Sequence, residues 1–136
     1  MEVLLYEGSI AVASGDYVHI VYDEAADSYT QCSIENLDVQ VSSLPQIAFK
    51  LDYPFEKEFE GKLVTAAGPT LRQVIDAIRG GFATMYEGTS QEEHAYLSNK
   101  LVTGPYGRAF HAIEDLVIES ITLDTDTGQL EIGIGS

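Results

Sequence analysis

The stretch Gln46-Ile-Ala-Phe-Lys-Leu-Asp-Tyr53 decides the fold class, because its side chains alternate between two faces. One face carries the large apolar residues, which are Ile47, Phe49, Leu51 and Tyr53. Strict alternation of this kind indicates a β-strand with one buried face. After Pro54 the segment 55–63 alternates again, so we predict an antiparallel pair of strands that turns at Tyr53-Pro54.

A change of period after this pair marks the main helix. Apolar residues recur at spacings of three and four, at Leu71, Val74, Ile75, Ile78, Phe82 and Met85. This spacing places one apolar stripe along a helix. Thr70 and Gln73 form a capping pattern, so we predict a helix over residues 70–86. Gly80-Gly81 leaves two alternatives open, an early end or a helix that continues through both glycines.

A second capping pattern follows at Ser90-Gln-Glu-Glu93. Apolar residues come after it at Tyr96, Leu97 and Leu101. We therefore predict a short second helix in this region. The segment 103–107, Thr-Gly-Pro-Tyr-Gly, is typical of a loop.

Runs of β-branched and aromatic residues occupy both ends of the chain. The runs 17–22 and 28–34 predict one hairpin, and the runs 116–123 and 130–134 predict a terminal hairpin. Two shorter strands, 4–7 and 10–13, are predicted on either side of Gly8. The order favours an α+β fold, in which an antiparallel sheet of strands from both ends packs on one main helix and a short second helix. We expect residues 1–136 to form a single domain.

The distribution of charge bears on the partners of the protein. All seven Lys and Arg residues lie between Lys50 and Arg108, and the formal net charge is −15. Residues 1–49 carry eight carboxylates, residues 109–136 carry six, and neither end has a Lys or Arg. Such a field repels nucleic acid and anionic membranes and attracts basic surfaces. We therefore expect a basic protein as partner, and binding neither to nucleic acid nor to membranes.

Composition indicates a folded protein in a reducing compartment. Hydrophobic residues make up 45%, with eight Tyr and five Phe, which is unlike a disordered acidic tail. Cys32 is the single cysteine and excludes an internal disulfide. The start of the chain lacks a secretory signal pattern, and no apolar run approaches the roughly 20 residues that span a bilayer. We expect a cytoplasmic location; a high-salt habitat is an alternative source of the acidity.

The leading functional interpretation is a small, non-enzymatic interaction protein without a cofactor, such as an immunity or inhibitor protein or a nucleic-acid mimic. If the acidic terminal strands share a sheet, their outward residues form a broad negative face. The predicted partner-binding residues are Asp16, Asp23, Glu24, Asp27, Tyr106, Asp124 and Asp126. Tyr22 and Tyr29 are further candidates, either as surface anchors or as core residues. Such a surface acts by electrostatic steering and then by burial of a few aromatic anchors.

Two alternatives come from other functional classes. The first is a small-molecule- or metal-binding enzyme with a site near residues 94–114, whose ligand residues are His94, Arg108, His111 and Glu114. Arg108 follows a glycine-rich loop and suits a phosphate or carboxylate. No H-x-x-x-H or C-x-x-C pattern occurs, so we predict no specific metal site. The second alternative is a structural subunit of a homo-oligomeric assembly.

Overall fold

Strands dominate the structure, which a computed structural model describes for residues 1–93 and 100–136. Strands account for 47% and helix for 15%. The strands are β1 (Glu2–Ala11), β2 (Val18–Asp23), β3 (Ser28–Ser33), β4 (Gln46–Leu51), β5 (Phe59–Val64), β6 (Ser90–Glu93), β7 (Lys100–Gly104), β8 (Gly107–Ala109), β9 (Val117–Asp124) and β10 (Gln129–Gly135). The main helix α1 is Leu71–Tyr86, and a single 3-10 turn covers Ile113–Asp115. The predicted α+β class, with mostly antiparallel strands and one main helix, is confirmed.

The largest sheet joins the two acidic ends of the chain. Its five strands lie in the order β1-β9-β10-β4-β5. Neighbouring strands are antiparallel except for β10 and β4, which run parallel with Gln129 beside Ala48. The expectation that strands from both ends share a sheet is therefore confirmed. The predicted β9–β10 pair is confirmed, and so is the antiparallel pairing of β4 with β5. The bounds of the second strand were wrong, because residues 52–58 form the connection, β5 begins at Phe59, and Tyr53 is 42% exposed in that connection.

Helix α1 covers one face of this sheet and forms the core with it. Ile75, Ile78 and Phe82 have no exposed area, and Phe49 on β4 is 2% exposed. The Thr70 hydroxyl accepts the Gln73 N–H at 3.3 Å, and the Gln73 side chain accepts the Thr70 N–H at 2.9 Å. The predicted helix start is confirmed, and the helix continues through both glycines. None of the described helices is long and apolar enough to cross a membrane.

The prediction of a second helix is wrong for the residues that the structure describes. Ser90–Glu93 is strand β6 and pairs antiparallel with β7, which pairs in turn with β8. Strand pairing satisfies the backbone of the segment and buries Val102 completely. These non-local contacts outweigh a local capping pattern. Tyr96 and Leu97, which supported the helix, lie outside the described residues.

The two short N-terminal strands that we predicted are one continuous strand. β1 pairs with β9 from Glu2 to Ala11, with register shifts between Leu4 and Tyr6 and between Glu7 and Ile10. The irregularities absorb the break in alternation around Gly8 without ending the strand. The sequence predicted two strands because the bulges disturb the alternation of side chains along β1.

The predicted β2–β3 hairpin forms a separate two-stranded sheet against β1. Tyr6 Oη and His19 Nδ1 share a hydrogen bond of 2.8 Å, and the two rings stack. The Arg79 guanidinium donates to the Ala11 carbonyl at 2.9 Å and to the Asp16 carbonyl at 2.7 Å. These contacts attach the hairpin and the loop before it to the body of the protein.

Candidate interaction surface

The β2–β3 hairpin is the most exposed regular element of the described structure. All six residues of β3 are exposed, since its sequence, Ser-Tyr-Thr-Gln-Cys-Ser, offers no apolar face to bury. Tyr22 lies directly opposite Tyr29 with ring centroids 5.2 Å apart. Tyr22 is 47% exposed and Tyr29 is 73% exposed. Of the two readings that the sequence left open for these tyrosines, the surface position is correct.

Three carboxylates, which we call the hairpin acids, occupy the tip: Asp23, Glu24 and Asp27. Asp23 accepts hydrogen bonds from the N–H groups of Ala25 and Ala26, as is typical of a turn. The Tyr22 hydroxyl donates to Asp27, and this bond raises the pKa of Tyr22. Among the side chains that the structure describes, in residues 1–91 and 101–136, no Lys or Arg nitrogen lies within 4.0 Å of a hairpin acid. None of these described bases therefore neutralises the negative charge at the tip.

The described cations that form ion pairs do so with other acids. Arg72 bonds to Asp38 at 2.9 Å, which lowers the pKa of that carboxyl. Arg108 Nη2 lies 3.5 Å from Glu56, and Lys50 Nζ lies 3.6 Å from Glu58. None of these three pairs includes a hairpin acid.

An open groove of about 630 Å³, the hairpin groove, runs between β1 and β2. Its lining includes Glu7 and Glu119 together with the apolar residues Ile20 and Val21. The Tyr6 hydroxyl bonds to His19, which belongs to this lining, and burial raises the pKa of Tyr6 to about 12. The groove therefore combines two carboxylates with apolar area, which suits the aliphatic stems and charged ends of Lys or Arg.

The outer face of the main sheet, opposite α1, extends this acidic surface. Glu2 lies across from Asp124, and Glu7 lies across from Ser120. A second open groove, of about 740 Å³, includes Ser120 and Glu131 in its lining. Ser120 adjoins Glu119 of the hairpin groove in strand β9. Lys50 on β4 also lines this second groove.

Asp124 and Asp126 were predicted as partner-binding residues and lie at the β9–β10 turn. The amine of Met1 lies 2.7 Å from Asp126 Oδ2 and 3.8 Å from Asp124 Oδ1. The Asp126 N–H donates to Asp124 at 2.9 Å, and this backbone bond is the main cause that lowers the pKa of Asp124. Both carboxylates therefore have a cationic neighbour, unlike the hairpin acids.

Asp16 and Tyr106 complete the set of predicted partner-binding residues. The side chain of Asp16 is exposed in the loop before β2, while its carbonyl accepts from Arg79. Tyr106 is half-buried and packs edge-on against Phe59 with centroids 6.1 Å apart. Tyr106 therefore contributes to packing at the rim of the core and is less exposed than Tyr29.

The structure does not bring the predicted ligand residues of the alternative site together. Arg108 contacts Glu56, while His111 contacts Ser136 and Asp115. Glu114 is exposed in the 3-10 turn, and His94 lies outside the described residues. Within the ranges 1–93 and 100–136, no group of three His, Cys, Asp or Glu side chains is arranged to hold a metal ion.

His111 has neighbours that the sequence did not indicate. His111 Nε2 lies 3.3 Å from Ser136 Oγ, and His111 Nδ1 lies 3.9 Å from Asp115 Oδ2. The order is that of a nucleophile, a base and an orienting carboxylate. However, 3.9 Å is too long for a hydrogen bond, and the Ser136 hydroxyl also bonds to Tyr53 at 2.7 Å. The cluster therefore lacks the geometry of an activated serine.

The candidate interaction surface thus consists of the hairpin acids, the Tyr22–Tyr29 pair and the hairpin groove. It combines carboxylates that pair with none of the described Lys or Arg side chains and exposed aromatic area on one element. No protein-family model, curated protein or solved structure matches the chain.

Proposed function

We propose that this protein is a non-enzymatic binding protein that takes a basic protein as its partner. The observation that carries the proposal is the hairpin tip, where three carboxylates without an ion pair to a described Lys or Arg stand beside two exposed tyrosines. Carboxylates steer a cationic partner toward the surface before contact. Tyrosines then supply rigid contact area that becomes buried in the complex.

The charge of the whole chain supports a partner of opposite sign. The net charge of −15 attracts a cationic surface and repels nucleic acid and anionic membranes. An acidic surface of this kind covers the cationic groove of a nucleic-acid enzyme, so an inhibitor, an immunity protein or a nucleic-acid mimic is the most concrete form of the function. A cytoplasmic location is part of the proposal, and the exposed free thiol of Cys32 supports it.

Charge reversal at the hairpin tests the steering step. The probe is an alternating Lys–Val peptide of about eight residues, a typical strand length. We expect that Asp23→Lys, Glu24→Lys and Asp27→Lys together lower its association rate about tenfold at low salt, because steering rates change by factors of this size. The control reverses three exposed carboxylates elsewhere, Glu60, Glu87 and Glu114, and therefore has the same net charge.

The measurement is the association rate constant between about 25 and about 200 mM salt, a range over which screening becomes strong. Wild type and the control should lose rate steeply with salt, and the hairpin variant should lose little. If the hairpin variant keeps the rate and the salt dependence of wild type, steering by the hairpin acids is wrong. Capture from native lysate, with the hairpin variant as matched bait, then identifies the natural partner.

A further inference from the structure

The outer edge of β3 is an unpaired strand edge. Ile34 N–H donates to the Tyr17 carbonyl at 3.2 Å, which fixes the phase of the β2–β3 ladder. Because antiparallel ladders alternate, Thr30 and Cys32 bond inward to β2. The peptide groups of Tyr29, Gln31 and Ser33 then point outward. In the part of the chain that the structure describes, β3 has β2 as its one strand partner.

This edge lacks the features that normally protect a free strand. β3 contains no Pro, Lys or Arg, and its register with β2 runs without a bulge from Val18 to Asp23. Proteins usually protect edges with those residues, with bulges or with covering elements. The edge strands of the main sheet differ from β3, because β1 is bulged and lies against β2, and β5 carries Glu60 and Lys62. β3 is therefore an edge on which another strand can pair.

We propose that β3 accepts an extended segment of the basic partner as an added antiparallel or parallel strand. The inference rests on the proposed function and specifies how the partner docks. Backbone pairing would supply affinity, and alternate side chains of the segment would lie beside Tyr29. The hairpin acids flank one end of β3, and Glu35 follows the other end, so cationic side chains meet a carboxylate at both ends.

Charge complementarity selects this occupant over a second copy of the chain. Residues 1–49 contain no Lys or Arg, so two hairpins brought edge to edge would place like charges against each other. A copy also carries the full net charge of −15. An extended basic segment removes that repulsion and pairs with the same peptide groups.

The test removes one outward donor without touching the hairpin ladder. Gln31→Pro deletes an N–H that points to solvent, a position where an edge strand tolerates proline. Gln31→Ala is the matched control, because it keeps the N–H and loses the same side chain. The probe is the Lys–Val peptide, with a Glu–Val peptide of equal length for comparison. We expect Gln31→Pro to weaken binding of the Lys–Val peptide about tenfold, as loss of one or two backbone hydrogen bonds implies.

Hydrogen exchange of wild type supplies a readout that needs no folded variant. On addition of the Lys–Val peptide, the amides of Tyr29, Gln31 and Ser33 should slow, whereas those of Thr30 and Cys32 are protected beforehand. If both Gln31 variants bind the Lys–Val peptide equally and hydrogen exchange at these amides does not slow, strand addition is wrong. The proposed function stays intact in that case. Equal binding of the Glu–Val peptide overturns the basic occupant.

Two further outcomes also overturn the proposal. The three outward amides could be protected from hydrogen exchange without peptide, to an extent that increases with protein concentration. That result assigns the edge to a second copy of the chain. Failure of wild type to bind the Lys–Val peptide at low salt removes the proposed function, and strand addition fails with it. Occupation of the edge by a second copy concerns β3 alone. Failure to bind the Lys–Val peptide appears in wild type before any variant is made. Failure of strand addition and failure of the proposed function are therefore distinguishable.

Discussion

The helix–sheet core and the β2–β3 hairpin have opposite relations to solvent. Ile75, Ile78 and Phe82 on α1 are completely buried, whereas every residue of β3 is exposed. A two-stranded hairpin is marginal by itself, so this one depends on its attachment through Tyr6 and through the bond of Arg79 to the loop before β2. The residues that stabilise the fold and the residues of the candidate interaction surface therefore lie in separate parts of one small protein. Changes at the surface should therefore leave the fold intact.

The largest expected effect comes from one aromatic truncation in each region. Phe82→Ala removes a side chain with no exposed area and should lower the free energy of unfolding by about 3 to 5 kcal/mol. Tyr29→Ala removes a side chain that is 73% exposed, and its effect should stay near 0.5 kcal/mol or below. Urea unfolding followed by circular dichroism measures both values. Comparable losses in the free energy of unfolding would mean that the hairpin belongs to the stabilising core, which contradicts the difference between the two regions.

The two adjacent glycines of α1 sharpen the boundary between core and surface. A Cβ at Gly81 would lie 2.7 Å from Leu51 Cδ1 and 3.0 Å from Phe59 Cε1, whereas a Cβ at Gly80 meets nothing within 4 Å. Gly81→Ala should therefore destabilise by about 1 to 3 kcal/mol through overpacking. Gly80→Ala should stabilise by about 0.5 to 1 kcal/mol, because alanine favours the helix.

Thermal and urea unfolding of the two alanine variants provide the measurement, and each glycine is the control for the other. Opposite signs are the expected result. If both substitutions stabilise, the contact of α1 with β4 and β5 is looser than the structure has it, and the core is less sharply bounded.

Local signals were enough to predict the main helix but not the strand β6. The stripe from Leu71 to Met85 and the Thr70 cap act within one helix, so the sequence period reveals them directly. Ser90-Gln-Glu-Glu93 has an equally good local cap, yet it pairs with residues 100–103. The competing interaction is burial of Val102, which depends on contacts that a local pattern does not contain.

The candidate surface was predictable in charge but not in geometry. The absence of Lys and Arg before Lys50 indicated the hairpin acids. The sequence could not decide whether Tyr22 and Tyr29 are core or surface, because that depends on which element covers the hairpin. Nor could it show that the Met1 amine lies against Asp126, since 125 residues separate them. The open edge of β3 likewise follows from strand order, which local patterns leave undetermined.

The smallest expected effect concerns the link between the two regions. Tyr6→Phe removes the hydrogen bond to His19 and should lower the free energy of unfolding by roughly 0.5 kcal/mol. Hydrogen exchange should increase more in β2 and β3 than in β9, because the hairpin loses an attachment while the core keeps its packing. Equal increases in all three strands would show that hairpin and core open as one unit.

The pH dependence of the same variant provides an independent check. Burial raises the pKa of Tyr6 from 10.0 to about 12 in the folded protein, because the ionised form is poorly solvated there. A raised pKa means that the folded state holds the proton longer than the unfolded state. The contribution of Tyr6 is therefore fully present below pH 10 and is lost as pH rises toward 12. Across this range the free energy of unfolding should fall more steeply for wild type than for Tyr6→Phe. Parallel curves of the two proteins would show that the Tyr6 hydroxyl is solvated, and therefore that the junction between core and hairpin is open to water.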